Sequence, residues 1–160
     1  MKLLSGGQSG VDRAVLDVAI ERGLAYAGWC PKDGWAEDLP APPGVLGKYP
    51  QLQETPSADP AQRTEWSVRD AEACLVIVQA GGSSVSPGTI LARELTQRYG
   101  KPLCVADLCE PDSLKRTAAW LRAQRAAFGA DVVLGIGGRR ESEVPGIYAR
   151  TVAFLRALIP

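Results

Sequence analysis

The amino-acid sequence predicts an α/β protein: a single-domain, doubly wound, Rossmann-like and mostly parallel sheet with helices on both faces. Short β-like runs alternate with segments of helical periodicity, as in strands joined by crossover helices. Glycine-rich loops follow three of these runs, where an open parallel sheet places its ligand. The 160 residues are 46% hydrophobic, enough to fill one core, so we expect one domain spanning residues 1–160.

Five apolar runs bounded by turn residues are predicted as strands. They cover residues 2–5, 25–29, 74–79, 103–107 and 131–136. The first helix is predicted over residues 10–22, because apolar residues recur at i, i+3, i+4, i+7 and i+8 from Val11 and Gly23 supplies a stop. Further helices are predicted after Pro60, over residues 89–99 and 112–128, and from Pro145.

Composition excludes several classes of function. Eighteen basic and eighteen acidic side chains cancel, so no overall charge attracts nucleic acid or an anionic membrane. The chain has no histidine, which excludes Ser-His-Asp hydrolysis, Cys-His proteolysis and histidine-based zinc catalysis. Neither a signal peptide nor a membrane-spanning apolar run is recognisable, so a cytoplasmic protein is expected.

The cysteines are predicted to be buried or inert thiols. Cys30, Cys74, Cys104 and Cys109 are scattered without a C-x-x-C pair, and apolar surroundings favour a reduced thiol that packs as a small hydrophobe. Residues 30–60 form a proline-rich loop with seven of the twelve prolines. Loops of this length are usually functional lids or disordered, and we expect this one to cover the ligand partially.

The first glycine-rich loop, residues 5–12, reads SGGQSGVD and lies between the first strand and the first helix. Glycine lets the backbone approach a phosphate closely, and the amino end of the helix favours negative charge. Gly7→Val is therefore expected to weaken binding more than folding. The alternative is a tight turn with a capping box formed by Ser9 and Asp12, and both interpretations can hold together.

Two further loops repeat this arrangement. Residues 81–89, with Gly82, Ser86, Gly88 and Thr89, open the third helix, and a flexible hydroxyl-rich connection is the alternative. The loop at residues 135–142 follows the last strand and adds fixed positive charge to its glycines, which suits a phosphate. A solvated basic turn is the alternative there.

The segment of residues 61–70 is polar on nearly every face yet carries Trp66. Arg63 and Thr64 near its start could reach a ligand, with Trp66 as a wall. Surface ion pairs among Arg63, Glu65, Arg69 and Asp70 are an equally good explanation.

Four stretches carry a resemblance that spans nearly the whole chain: SGGQSGVDRAVLDVAI, GWCPK, ETPSADPAQRTEWSVRDAEACLVIV and GIGGRRESEVPGIY. They resemble the family known as putative molybdenum cofactor carriers, of the Rossmann-like SLOG superfamily, which also includes cytokinin-activating phosphoribohydrolases. The resemblance implies a doubly wound fold, binding and protection of the molybdenum cofactor (molybdopterin), a homo-oligomer (dimer or tetramer), and molybdoenzymes as possible partners. It implies ligand contacts from residues 5–10 and from Arg63, Thr64, Gly88 and Thr89.

This sequence departs from the family pattern in two loops, with Ser86-Pro87-Gly88-Thr89 where Gly-Gly-Thr is expected and Gly137-Gly138-Arg139 where Gly-Pro-Arg is common. The related hydrolases use P-G-G-x-G-T-x-x-E, whereas Glu94 here lies five residues past Thr89. Two extra residues turn a carboxylate by about 200° around a helix, away from the ligand.

The leading hypothesis is a non-catalytic carrier of the molybdenum cofactor or of another phosphate-bearing small molecule such as a nucleotide. The alternatives are a nucleoside 5'-monophosphate phosphoribohydrolase with Glu94 or Asp12 as acid or base, and a module that serves assembly only. No catalytic and no metal-ligating residue is predicted. The predicted binding residues are Ser5, Gly6, Gly7, Gln8, Ser9, Gly10, Arg63, Thr64, Gly82, Ser86, Gly88, Thr89, Gly138 and Arg139.

Overall fold

The computed structural model describes residues 1–79 and 87–159. Within these ranges six strands form one parallel sheet in the order β3-β2-β1-β6-β4-β5. The strands are β1 (Lys2–Leu4), β2 (Ala25–Cys30), β3 (Leu52–Glu54), β4 (Ala73–Val78), β5 (Leu103–Asp107) and β6 (Val133–Gly138). The α-helices are α1 (Val11–Glu21), α2 (Pro60–Asp70), α3 (Pro87–Arg98), α4 (Ser113–Phe128) and α5 (Ile147–Leu158). The predicted doubly wound α/β class is confirmed.

Side chains alternate along the strands and fill a helical layer on each face of the sheet. Leu3 and Leu134 belong to the larger core, which includes buried residues of α1, α4 and α5. Leu4 and Cys74 point to the other face, where they pack with residues of α2 and α3. None of the described helices has the length and apolarity needed to cross a membrane.

The last strand lies in the middle of the sheet. β6 is inserted between β1 and β4, with Leu134 paired to Leu3 on one side and to Ala73 on the other. The strand therefore brings the third glycine-rich loop beside the first and next to the end of β4.

All five predicted strands are present, β5 with the predicted ends and the others with shifted ends, whereas β3 was missed. It has only three residues, Leu52–Glu54, and pairs with β2 at the edge of the sheet. Its short run lies among prolines and carries no sustained alternation. Gly23 and Gly100 take positive φ values of 64° and 61° just after α1 and α3, so both glycine stops are confirmed.

One expected helix cap and one expected helix start are wrong. The capping box does not form, because Gly10 is the N-cap of α1 without a side-chain hydrogen bond, and the Ser9 hydroxyl donates to Glu37 instead. α5 begins at Ile147 rather than at Pro145, since Gly146 takes a left-handed conformation at the N-cap.

The proline-rich loop is folded against α1. It contains two short 3-10 helices, Lys32–Gly34 and Gly44–Gly47, as well as β3. Val45 and Tyr49 are fully buried, and the ring of Tyr49 meets that of Tyr26 edge to face at 6.3 Å between centroids. The alternative of a disordered loop is therefore wrong.

Candidate ligand-binding site

A cleft of about 650 Å³, including its open mouth, lies at the carboxyl ends of β1, β6 and β4, between α2 and α3. This is the edge at which open parallel sheets bind ligands. Its lining consists of Leu4, Ser5, Gly6, Asp12, Arg63, Thr64, Ser67, Val68, Cys74, Leu75, Val76, Gly88, Thr89, Ala92, Gly135, Ile136, Gly137 and Gly138.

Two opposite charges line the cleft and pair with each other. Arg63 Nη1, on α2, donates to Asp12 Oδ2, on α1, at 2.8 Å, and the two side chains are only 16% and 4% exposed. Arg63 Nε is buried without a hydrogen-bond acceptor among the described residues. A buried donor without an acceptor is costly, so the ion pair with Asp12 leaves the guanidinium incompletely satisfied.

Gly6 is needed for this pair to form. A Cβ at Gly6 would lie 2.1 Å from Arg63 Nη1 and 3.0 Å from Asp12 Oδ2. The guanidinium therefore lies directly on the backbone of the first loop. Gly138, at the end of β6, likewise allows a close approach of the chain to itself. A Cβ there would lie 2.3 Å from the carbonyl oxygen of Ile77.

Gly135 and Gly137 leave the cleft-facing side of β6 without side chains. A Cβ at Gly137 would have Asp12 Oδ1 as its nearest neighbour, at an ordinary contact distance of 3.5 Å. A Cβ at Gly135 would lie 3.0 Å from that of Ala71. With respect to the described residues, the space above Gly137 thus admits an atom that the sequence does not supply.

The amino end of α3 forms another wall of the cleft. Gly88, Thr89 and Ala92 line it from the first turns of the helix. The partial positive charge at a helix amino end favours an anion. The cleft therefore combines a guanidinium, a helix amino end and a bare strand surface.

The second half of the first loop lies away from the cleft. A Cβ at Gly7 would lie 2.9 Å from Leu52 Cδ1, and the Gln8 side chain accepts from the Glu37 N–H at 3.2 Å. Gly10 packs against the next loop, because a Cβ there would lie 2.5 Å from the carbonyl oxygen of Arg139.

The amino end of α1 is partly covered by the chain itself. The Val11 N–H donates to the carbonyl oxygen of Arg139 at 3.1 Å. Arg139 thus contacts the first loop through its backbone, and this residue is not among those that line the cleft. Of the two helix ends expected to hold phosphate, α3 is the one that faces the cleft.

A carboxylate from the proline-rich loop joins the two glycine loops. Glu37 accepts from the hydroxyls of Ser9 and Ser142, the latter at 2.6 Å, and Arg140 Nη1 lies 4.0 Å away. Burial raises the pKa of Glu37, but the hydrogen bonds from Ser142 and Ser9 and the charge of Arg140 outweigh it, so the pKa lies below its ordinary value. The carboxylate of Glu37 thus occupies the surface where the first and third glycine-rich loops meet.

The structure separates the predicted site residues into three groups. Those that line the cleft are Ser5, Gly6, Arg63, Thr64, Gly88, Thr89 and Gly138. Those that lie outside it are Gly7, Gln8, Ser9, Gly10 and Arg139. Gly82 and Ser86 lie outside the described residues.

Trp66 and the proline-rich loop do not line the cleft. Trp66 packs edge to face on Trp29 at 4.7 Å between centroids, with the Arg69 guanidinium 5.0 Å from its ring. Neither therefore forms a wall of this cleft, and their contact with a ligand stays a prediction. The proposed surface ion pairs are present in part, since Arg69 pairs with Asp70 at 2.6 Å, whereas Arg63 pairs inside the cleft.

Cys74 lines the cleft as a buried thiol, and desolvation raises its pKa to about 11. A thiol with a raised pKa is a poor nucleophile at neutral pH. All four cysteines are unbridged, and the described residues contain no group of three or more side chains suited to a metal ion.

Several lining residues were missed by sequence reasoning, although signals for three of them existed. Ser67 and Val68 follow Arg63 and Thr64 by four residues and so share their helix face. Gly137 alternates with Gly135 along β6. The sequence pattern predicts core positions for Leu75, Val76 and Ile136. Their place at the cleft follows only from the order of the strands in the sheet.

Ala92 and Glu94 bear on the related hydrolases. Ala92 lies three residues past Thr89, where the hydrolase pattern has its glutamate, and lines the cleft. Glu94 is exposed and does not line it. The expectation that Glu94 points away from the ligand side is confirmed, and the cleft position is occupied by a methyl group.

The sheet, its helical layers and the cleft define a Rossmann-like α/β protein with an open cleft at the carboxyl edge of its sheet. Residues 3–159 match the sequence model of the circularly permutated YpsA SLOG family, and the chain belongs to this family. It is also similar to the crystal structure of a putative molybdenum carrier protein from Syntrophus aciditrophicus SB, with 33% identity, a TM-score of 0.84, and coverage of 99% of this chain and 94% of that chain. No curated protein matches the chain. The resemblance stated from the sequence is confirmed.

Proposed function

We propose that this protein binds and carries the molybdenum cofactor, holding its phosphate-bearing pterin in the cleft between α2 and α3. The observation that carries the proposal is the cleft itself, where the bare strand surface at Gly137 lies beside the Arg63 guanidinium. Similarity to a putative molybdenum carrier protein supports the choice of ligand. A cytoplasmic carrier that assembles as a homo-oligomer and delivers to molybdoenzymes is part of the proposal.

The two ends of such a ligand would meet different surfaces. The phosphate fits the amino end of α3 near Gly88, because the helix dipole favours an anion there. Arg63 is already paired with Asp12, so it contributes chiefly the positive charge of its guanidinium, which favours an anionic ligand in the cleft. The flat heterocycle would lie over the strand surface at Gly137.

The experiment that tests this proposal places a side chain on β6, at the floor of the cleft. Gly137→Val adds a branched side chain where a Cβ fits without overlap but its methyl groups project into the ligand space. Valine favours strands and restricts the unfolded chain, so stability should be kept. We expect a loss of affinity of about 5- to 150-fold, because overlap of this size costs about 1–3 kcal/mol.

The measurement is titration calorimetry with molybdenum cofactor released from a molybdoenzyme, with thermal unfolding of each variant alongside. Ala126→Val is the matched control, since Ala126 is exposed on α4 and does not line the cleft. Equal affinity of Gly137→Val and wild type would place binding outside this cleft. No binding of the cofactor by the wild type would overturn the carrier function itself.

A further inference from the structure

Asp12 is an unexpected residue for a cleft that receives an anionic ligand. Its carboxylate is 4% exposed and lines the cleft together with Arg63. A buried carboxylate repels a phosphate, and taking it out of water is costly unless partners compensate. Its place in the cleft therefore calls for a positively polarised partner, which can be a protein cation, a ligand donor or both.

The contact with Arg63 leaves one side of the carboxylate facing the cleft floor. Arg63 binds end-on, from Nη1 to Oδ2. By contrast, Arg13 on the same helix binds Asp38 side-on, and two of its nitrogens donate to the two carboxylate oxygens at 2.9 Å each. Asp12 Oδ1 instead lies 3.5 Å from the point that a Cβ at Gly137 would occupy.

A heterocycle lying over Gly137 would thus meet a carboxylate at its edge. A carboxylate accepts but cannot donate, so it favours an edge with two adjacent N–H donors. The 2-amino-4-oxopyrimidine ring has such an edge, with a ring N–H beside an amino group, and pterins and guanine share it. Adenine places a ring-nitrogen acceptor next to its amino group and would be repelled.

We propose that Asp12 is a specificity-determining residue that selects ligands with the 2-amino-4-oxopyrimidine edge. The inference rests on the proposed function, because it assumes that the heterocycle lies in the cleft. Arg63 fixes the carboxylate through Oδ2, and Gly137 leaves the space in which the ligand edge reaches Oδ1. Different parts of the cleft thereby hold the phosphate and select the heterocycle: the amino end of α3 binds the phosphate, and Asp12 selects the ring.

The test compares GMP, IMP and AMP by titration calorimetry, alongside the molybdenum cofactor. IMP differs from GMP only by the missing 2-amino group, so wild type should bind GMP about 10- to 100-fold more tightly than IMP, the range for a hydrogen bond to a charged group. AMP should bind more weakly still. This comparison needs no variant and does not depend on how any substitution folds.

Asp12→Asn should change the preference rather than lower all affinities together. Arg63 requires an acceptor, so the amide oxygen of the variant should stay on Nη1 and the amide nitrogen should face the cleft. A donor there favours AMP over GMP, and affinity for the molybdenum cofactor should fall by tenfold or more. Asp38→Asn is the control, because Asp38 is also paired with an arginine but lies outside the cleft.

The outcomes distinguish this inference from the proposed function. Equal affinities of wild type for GMP, IMP and AMP, or an equal loss for all ligands in Asp12→Asn, would overturn the role of Asp12 while leaving the carrier intact. Binding of the cofactor without GMP would also overturn the inference, because guanine carries the same edge as the pterin. Binding of none of the four ligands would overturn the carrier function.

Discussion

At the scale of single residues, Gly137 and Gly7 leave space for different neighbours. Gly137 lines the cleft, and among the described residues a Cβ there would contact only Asp12, at an ordinary distance. Gly7 has a φ of 73°, and a Cβ there would lie 2.9 Å from Leu52 and 3.5 Å from Val45. Gly137 therefore leaves room for a ligand, whereas Gly7 leaves room for the protein's own core.

This difference reverses the expected effect of Gly7→Val. The sequence alone predicts that the variant loses affinity more than stability. The structure places Gly7 against buried residues in a conformation that a β-branched residue avoids, so we predict a loss of about 2–4 kcal/mol in the free energy of unfolding, from backbone strain and overpacking. Urea unfolding measures it, and a variant as stable as wild type with reduced affinity would restore the original interpretation.

At the scale of elements, the proline-rich loop holds α1 and the glycine loops in place. Asp17, on α1, accepts from the hydroxyls of Tyr49 and Tyr148 at 2.6 and 2.9 Å. Arg13 binds both oxygens of Asp38, and Glu37 binds the first and third glycine loops through serines. The loop thus stabilises the surroundings of the cleft without touching the ligand space.

Glu37 should make part of this support dependent on pH. Its pKa is lowered in the folded protein, so its contribution is complete above the ordinary glutamate pKa of about 4.3 and is lost as the pH falls through the lowered folded value. We predict that Glu37→Gln lowers the free energy of unfolding by about 1 kcal/mol at pH 7, since charged hydrogen bonds become neutral ones.

Thermal unfolding of both proteins between pH 3 and pH 8 checks this prediction. The difference between wild type and Glu37→Gln should be constant above pH 5 and shrink below pH 4. Other carboxylates, such as Asp70, also have lowered pKa values, so wild type itself loses stability in acid. The difference between the two proteins isolates Glu37, and a difference that grows in acid would contradict the assigned role.

Elements also show what the sequence could and could not predict. The buried run of β4 and the apolar stripe of α1 are strong local signals, and both were predicted nearly to their ends. β3 carries too few residues for a period, and Gly146 moves the start of α5 through a backbone conformation that the proline before it does not reveal. Local patterns therefore predicted the elements better than their boundaries.

At the scale of the whole molecule, the cleft depends on the order of the strands. β6 lies between β1 and β4, so Gly137 comes to lie beside Asp12, more than a hundred residues earlier in the chain. The sequence predicted glycine loops at one sheet edge but could not predict which of their residues face each other. Pairing of Arg63 with Asp12 rather than with its neighbours on α2 has the same origin.

The fold as a whole also serves hydrolases, so the choice between carrying and hydrolysing depends on what the cleft contains. A general acid or base must lie within hydrogen-bond reach of the proton it moves, and its loss costs about 100- to 10,000-fold in rate. Glu94 is exposed outside the cleft, and the position of the hydrolase glutamate is Ala92. We predict that wild type releases no ribose 5-phosphate from AMP above the buffer rate, and that Glu94→Gln binds the molybdenum cofactor as wild type does. A solvated carboxylate outside the cleft has no means of controlling chemistry inside it. Clear turnover by wild type that collapses in Glu94→Gln would therefore contradict this placement and reject the carrier function.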